Sequence, residues 1–304
     1  MQIGIDIGGS HIGAGLVNEN GKIIIKKECN LCDDFKDKEN RKQEIRDIVI
    51  SLIRNILQEV GAPKCVIKKI GIACPGKIKN GVAYDLYNLN LKSLELKSEL
   101  EEYCKTNVTI HNDAKCAGIA EKKYGSLQKY EDCVFLCLGT GIGGATFLNN
   151  EMLIPKKNEG FEYGHMIIEK AGRQCRCGNC GCFEKYASMS AFKQGFISEV
   201  LENKEEYMFF TSEQILSYIL ENRNEPKIQN YIDEYIDNLI LGICNICKVM
   251  EPQAISLGGS FVHFHKVLYT RLIEKLNEHN YKFDVPDIVL ATLGNDAGII
   301  GAVC

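Results

Sequence analysis

Residues 2–7 alternate apolar and small or polar positions in the manner of a strand, a glycine corner follows at Gly8 and Gly9, and a second strand, HIGAGLV, leads to a turn at Asn20-Gly21. A helix is predicted over about 41–60, where Ile45, Ile48, Val49, Leu52, Ile53, Ile56 and Leu57 keep the three-four spacing of one buried face. A buried strand, KKIGIACPG, ends in a Pro-Gly turn, a short helix follows, and VTIHNDA reads as a strand running into the helical AKCAGIAEKKYG. The segment CVFLCLGTGIGGATFLNN then repeats the opening design of strand, glycine corner, strand and Asn-rich turn. One motif used twice predicts two related domains facing each other, each offering a glycine corner to a shared cleft. From Glu184 onward the pattern is mainly helical, longest over about 228–250, and is interrupted by the strands AISLGGS and DIVLATLG.

Composition narrows the function classes. The net charge is −4 and Lys and Arg are scattered among Asp and Glu, so no basic stripe is offered to a phosphate backbone and nucleic acid is not expected as a partner. The opening MQIGIDIGG lacks the features of an export signal, and no apolar run has the length of a membrane span; a cytoplasmic protein that does not engage a membrane is expected. Fifteen cysteines in a chain of 304 residues without an export signal point to reduced thiols, not to a disulfide framework. Several, Cys133 and Cys137 among them, sit in apolar strands as small hydrophobes.

Glycine corners let backbone N–H groups close on an anion, and phosphate is the natural guest. Neither corner has the GK[ST] ending of a P-loop, and the first does not lead straight into a helix as a dinucleotide fingerprint does. Asp6, just before the first corner, is placed either to hold magnesium through water or to cap the turn. The stretch His165–Cys182 holds one His and four Cys in a glycine-broken loop with little apolar content, which suits tetrahedral zinc. The spacing admits His165 with three Cys, or Cys175, Cys177, Cys180 and Cys182 with His165 left over. In His-Asn-Asp-Ala at 111–114, Asp113 stands where a strand gives way to a helix: a candidate base, with a plain helix cap as the alternative. Glu162 and Glu184 flank the cysteine loop and either accept hydrogen bonds from ligand hydroxyls or are ordinary surface charge.

With these segments in order, the chain resembles the ROK family of sugar kinases and repressors over almost its whole length. DIGGSHIGAGLV is similar to the family's first phosphate motif, CPGKIKNGVAYDLYNL to its sugar-domain segment, HNDA to its catalytic motif and LGTGIGG to its second phosphate motif. EYGH with CRCGNCGCFEKYAS resembles its zinc signature, ISLGGS the strand beside the adenosine pocket, and LGNDAGIIGA the closing segment. The resemblance implies an α/β fold of two actin-like (ribonuclease H-like) domains with the active site in the cleft between them. The first would span 1–112 plus about 293–304, and the second 113–292, with the zinc loop at 165–182.

It also implies an ATP-dependent hexose kinase that phosphorylates the 6-hydroxyl. Glucose is the leading substrate, an N-acetylhexosamine such as N-acetylmannosamine the next, and a homodimer or homotetramer the expected assembly. Asp113 would be the general base. Asn88, Asn112, Glu162, His165 and Glu184 would hold the sugar, and Asp6, Gly8, Gly9, Ser10, Gly139, Thr140, Gly141, Gly258 and Gly259 would bind Mg-ATP. Structural zinc would be held by His165, Cys175, Cys177 and Cys182, with Cys180 a bystander. A sugar-sensing repressor of the same family is disfavoured, because the phosphate motif begins at Ile3 with no helix-turn-helix ahead of it. Three positions depart from the family pattern: His11 in place of a common Lys, Phe161 in place of a Gly before Glu162, and Ala145 in place of a Gly.

Overall fold

The chain first builds an antiparallel hairpin of β1 (Gln2–Ile7) and β2 (His11–Val17), extended by β3 (Ile23–Asn30), because alternating Ile residues bury one edge-to-edge face while Asn18–Lys22 form the turn. These elements belong to a computed structural model that describes residues 1–31, 38–61, 63, 66–156, 161–278 and 284–304. After α1 (Lys38–Glu59), β4 (Lys69–Cys74) pairs parallel to β1. A small antiparallel sheet of β5 (Lys77–Lys79), β6 (Val82–Leu86) and β7 (Leu91–Leu94) follows, then α2 (Lys97–Cys104), β8 (Val108–Asn112) parallel to β4, and α3 (Asp113–Tyr124). The main sheet has the order β3-β2-β1-β4-β8.

The second half repeats the plan. β9 (Cys133–Leu138) and β10 (Ile142–Leu148) form the hairpin, and β11 (Glu151–Met152) lies at its edge. Then come the helices α4 (Glu184–Ala187), α5 (Met189–Gly195), α6 (Ser212–Glu221) and α7 (Pro226–Met250). β12 (Ala254–Gly258) pairs parallel to β9, α8 (Thr270–Glu278) follows, and β13 (Asp287–Leu290) pairs parallel to β12, giving the order β11-β10-β9-β12-β13. Pro226 opens α7 where its missing N–H costs nothing, and Ile228, Ile232, Ile236, Leu239, Ile243 and Ile246 bury its inner face. Each such side chain contributes about 1.5–3 kcal/mol. A charge at Ile236, which is wholly inaccessible, would break that face.

Close packing divides the chain into two units. Met1–Lys129, Met152–Gly160 and Thr292–Cys304 form one, and Tyr130–Glu151 with Phe161–Ala291 the other, each with its own apolar core. The division drawn from sequence at 112/113 differs from this, because α3 stays with the first unit. Its Ala120 packs on Ala297 and Ile300 of α9 (Ala297–Ala302), and Cys116 packs with Ala73 and Ala302. The backbone of α9 lies so close to this sheet that a Cβ on Gly71 would fall 1.7 Å from the Ala302 carbonyl oxygen.

A wholly buried carboxylate, Glu121, ties the same region together. It accepts hydrogen bonds from the backbone N–H groups of Ser126, Thr292 and Leu293 and from the hydroxyls of Ser126 and Thr292. Those donors supply the compensation that a buried charge requires. No helix among the described residues is long and apolar enough to cross a membrane, and no disulfide joins the described cysteines.

Candidate active site and metal centre

In the first unit the corner between β1 and β2 closes through the Gly8 N–H on the His11 carbonyl at 2.9 Å, leaving Gly9 and Ser10 exposed. Asn88, on the turn joining β6 to β7, lies against this corner: a Cβ on Gly9 would sit 3.2 Å from the Asn88 Cβ. The small sheet thus delivers Asn88 to the first glycine corner. Asp6, at the end of β1, is recessed under α9, where a Cβ on Gly298 would meet its carboxylate oxygen at 2.4 Å. Burial first, and then the negative charge of Asp113, push the Asp6 carboxyl up to about 7, with Lys26 partly offsetting them.

The junction of β8 and α3 resolves which residue caps the helix. Asn112 is the N-cap; its Oδ1 accepts from the Lys115 N–H at 3.1 Å and its Nδ2 donates to the Gly76 carbonyl at 3.1 Å. One side-chain N–H of Asn112 is left outside these two bonds. Asp113, the first helical residue, is half-buried and accepts from the Ala114 N–H at 2.8 Å. The cap is therefore supplied without it, and its carboxylate lies close enough to Asp6 for the two charges to act on each other.

In the second unit the corner between β9 and β10 is one residue shorter. Ile7 pairs with Ile12 across the first corner and Leu138 with Ile142 across the second, and here the Gly139 N–H donates to the Gly141 carbonyl at 3.0 Å. Gly259, at φ +71, turns the end of β12 against Leu138, where a Cβ would be 2.6 Å from the carbonyl oxygen; Gly258 lies against the Phe135 ring. The second corner and the end of β12 are therefore neighbours. Glu184 also reaches this corner, since a Cβ on Gly141 would meet its Oε2 at 2.7 Å. Phe183, wholly buried, sets the start of Glu184's helix by placing its ring in the gap left by Gly242 of α7.

The cysteine loop folds into turns with Gly178 and Gly181 in the left-handed region, φ +97 and +80. This brings His165 Nδ1 or Nε2 and the sulfurs of Cys175, Cys177 and Cys182 within 4.8 Å of one another. Cys175 Sγ is 3.7 Å from His165 Nδ1, and Cys177 Sγ is 3.5 Å from Cys182 Sγ. Zinc–sulfur bonds of about 2.3 Å in a tetrahedron imply edges of roughly 3.8 Å, so the donor set and its spacing fit that ion. Cys180 is outside the group, its thiol donating to Gln174 Oε1 at 3.2 Å. The Cys175 thiol also donates to Glu184 Oε1 at 3.4 Å, tying the cluster to the carboxylate beside Gly141.

A family model described as the ROK family matches residues 2–304. The chain belongs to the ROK family. It is 27% identical over 303 residues to the xylose repressor of Bacillus subtilis (strain 168), covering 98% of this chain and 75% of that protein. It is 28% identical over 320 residues to the glucokinase of Thermotoga maritima, covering 99% and 95%. An N-acetyl-D-glucosamine kinase of Photobacterium profundum is 27% identical over 316 residues, 99% and 98% covered. Among solved structures, a ROK family glucokinase from Streptomyces griseus in complex with glucose and AMPPNP superposes with a TM-score of 0.80 at 22% identity, covering 99% of this chain and 97% of that one. The α/β fold is thus that of the ROK family, an actin-like fold.

Of the three departures from the family pattern, Ala145 is buried on β10 and His11 is exposed at the start of β2. Phe161 takes φ +61, a left-handed conformation that is strained for a bulky side chain, while its ring packs on the core of the second unit. The hydrogen bond between Tyr163 and Thr146 and the approach of Glu184 to Gly141 are features the sequence pattern does not show.

Proposed function

We propose that this ROK family protein is an ATP-dependent hexose kinase that transfers the γ-phosphoryl group to the 6-hydroxyl of a hexose, glucose first. The observation that carries the reading is Asp113: a half-buried carboxylate at a strand–helix junction whose capping duty is already met by Asn112. In the reaction the bond from the γ-phosphorus to the β–γ bridging oxygen breaks, the bond to the sugar oxygen forms, and the hydroxyl proton passes to the Asp113 carboxylate. Phosphoryl transfer has a loose transition state, so positioning and charge dispersal carry most of the acceleration and proton removal comes late. On this reading Gly8 and Gly139 close the two corners with their N–H groups, Gly9, Ser10, Thr140 and Gly141 offer theirs to the phosphates, and Gly258 and Gly259 border the adenosine. Asp6 orients the hydrated magnesium of Mg-ATP. Magnesium also favours the ionised form of Asp6, which the metal-free fold disfavours.

Asn88, Asn112, Glu162, His165 and Glu184 are assigned to the sugar hydroxyls. His165, Cys175, Cys177 and Cys182 would hold zinc, whose closed tetrahedral set supplies rigidity to the loop and no nucleophile. Relatives named glucokinase support glucose, and relatives named N-acetyl-D-glucosamine kinase make an N-acetylhexosamine the second reading. Relatives named xylose repressor define the reading from another class, sugar binding without phosphoryl transfer. ADP release from ATP with glucose, mannose, fructose, N-acetylglucosamine and N-acetylmannosamine tests all three. Glucose is expected to give the highest kcat/KM, a higher value for an N-acetylhexosamine moves the assignment to that sugar, and no turnover with any sugar removes the kinase reading.

A further inference from the structure

The turn that carries Glu162 and His165 is fastened to one face of β10 at three successive positions. Ile142, Gly144 and Thr146 are two residues apart, so in a strand they share a face. At Ile142 the backbone of Gly164 approaches so closely that a Cβ would lie 2.4 Å from the Ile142 carbonyl oxygen. At Gly144 the missing side chain leaves a slot for the Tyr163 ring, whose Cδ2 would be 3.1 Å from a Cβ there. At Thr146 the Oγ1 is hydrogen-bonded to the Tyr163 hydroxyl at 2.5 Å, with Thr146 1% and Tyr163 6% exposed. The turn itself closes through the His165 N–H on the Glu162 carbonyl at 2.9 Å and the Met166 N–H on the Tyr163 carbonyl at 3.1 Å.

Two hydroxyls buried among apolar neighbours add little net stability over a phenyl ring and a valine of the same shape, but they fix one geometry, because either left alone is unsatisfied. Phe161, at φ +61, stands directly before the turn, and such strained backbone persists where the surroundings over-determine it.

We propose that Tyr163, through its bond to Thr146, is a positioning residue that sets Glu162 for the hexose and His165 for the metal. The proposal rests on the kinase reading for its kinetic consequence and on the His–Cys cluster for its metal consequence. The test compares wild type, Tyr163→Phe, and the double variant Tyr163→Phe with Thr146→Val. The double variant removes both polar groups together, so its stability should return close to wild type.

If the pair positions the turn, hexose KM rises about tenfold in both variants, the size of one net hydrogen bond, while KM for Mg-ATP stays within about twofold. Zinc passes faster to a chelator, and the peptide spanning 161–168 exchanges its amide hydrogens faster. A double variant with wild-type hexose KM, zinc retention and exchange overturns the proposal and leaves Tyr163 a packing residue. If the wild type phosphorylates no hexose, the kinase reading falls. Zinc release and hydrogen exchange then still decide the clamp, faster values in the double variant supporting it and wild-type values sinking it.

Discussion

The two glycine corners are built alike and furnished differently. Each joins the first two strands of a five-stranded sheet of the same strand order, and each has a glycine pressed against a side chain assigned to sugar, Gly9 on Asn88 and Gly141 on Glu184. Around the first corner gather charges in conflict: Asp6, recessed and pushed up to about 7, and Asp113, which helps push it there. Around the second gather groups that fix shape, since Glu184 accepts from Cys175, Cys175 belongs to the His–Cys cluster, and Gly259 closes on Leu138. On the proposed reading the repeated hairpin is a common mount, with chemistry attached to one copy and rigidity to the other.

The largest expected effect lies on the first corner's side. Asp113→Asn should lower kcat by about 10²- to 10⁴-fold, the range of a positioned base, with hexose KM nearly unchanged. Near-normal turnover would leave the first unit without its chemical role. Metal removal should act on the opposite side of the comparison: chelation is expected to raise hexose KM by on the order of tenfold or more and to lower Tm, with KM for Mg-ATP little changed. Equal loss of both substrates would mean that the His–Cys cluster supports the whole fold and not the sugar turn. Gly141→Ala comes next. Its Cβ would displace Glu184 Oε2 from 2.7 Å, and a misplaced sugar ligand should raise hexose KM on the order of tenfold. Gly9→Ala, at 3.2 Å from Asn88, needs a shift of only a few tenths of an ångström and should cost less. If Gly9→Ala were the more damaging, the assignment of shape to the second corner would be reversed.

Much of this architecture is written locally. Alternating Ile residues, a glycine pair and an Asn-Gly turn mark the first hairpin, and CVFLCLGTGIGGATFLNN repeats it, so the doubled α/β plan is legible from strand periodicity and turn chemistry alone. What was not legible depends on contacts far along the chain. The pattern of α3 begins at a strand junction and so looks like a domain start, yet its small residues Cys116 and Ala120 fit against Ala297, Ile300 and Ala302 of α9, far along the chain. The choice between Asn112 and Asp113 as cap is likewise invisible in composition, since both residue types cap well; only the Lys115 N–H bond decides it. Four cysteines in eight residues admit several ligand sets. The left-handed turns at Gly178 and Gly181 separate Cys180, on Gln174, from the three that group with His165. The bonds of Glu121 to Thr292 and Leu293 and the Tyr163–Thr146 bond carry no local pattern, because their partners lie on other elements of the fold.

The smallest expected effect is a stability effect and isolates the first corner's conflict of charge. The Asp6 carboxyl is raised from an ordinary 3.8 to about 7, so between those values the folded chain holds a proton that the unfolded chain has released. The contribution is therefore fully present below about 4 and is lost as pH rises through about 7, which makes the metal-free protein less stable at pH 8 than its other groups alone would dictate. Asp6→Asn removes this dependence. In thermal melts without magnesium its Tm should exceed that of the wild type by a few degrees at pH 8, with the gap shrinking towards pH 5, where the wild-type carboxyl is already protonated. Magnesium with a nucleotide should narrow the gap at pH 8 by supplying the wild type with the cation its ionised Asp6 lacks. A gap that is constant with pH would mean that the substitution acts through packing against Gly298, and the two corners would then differ in shape and not in charge.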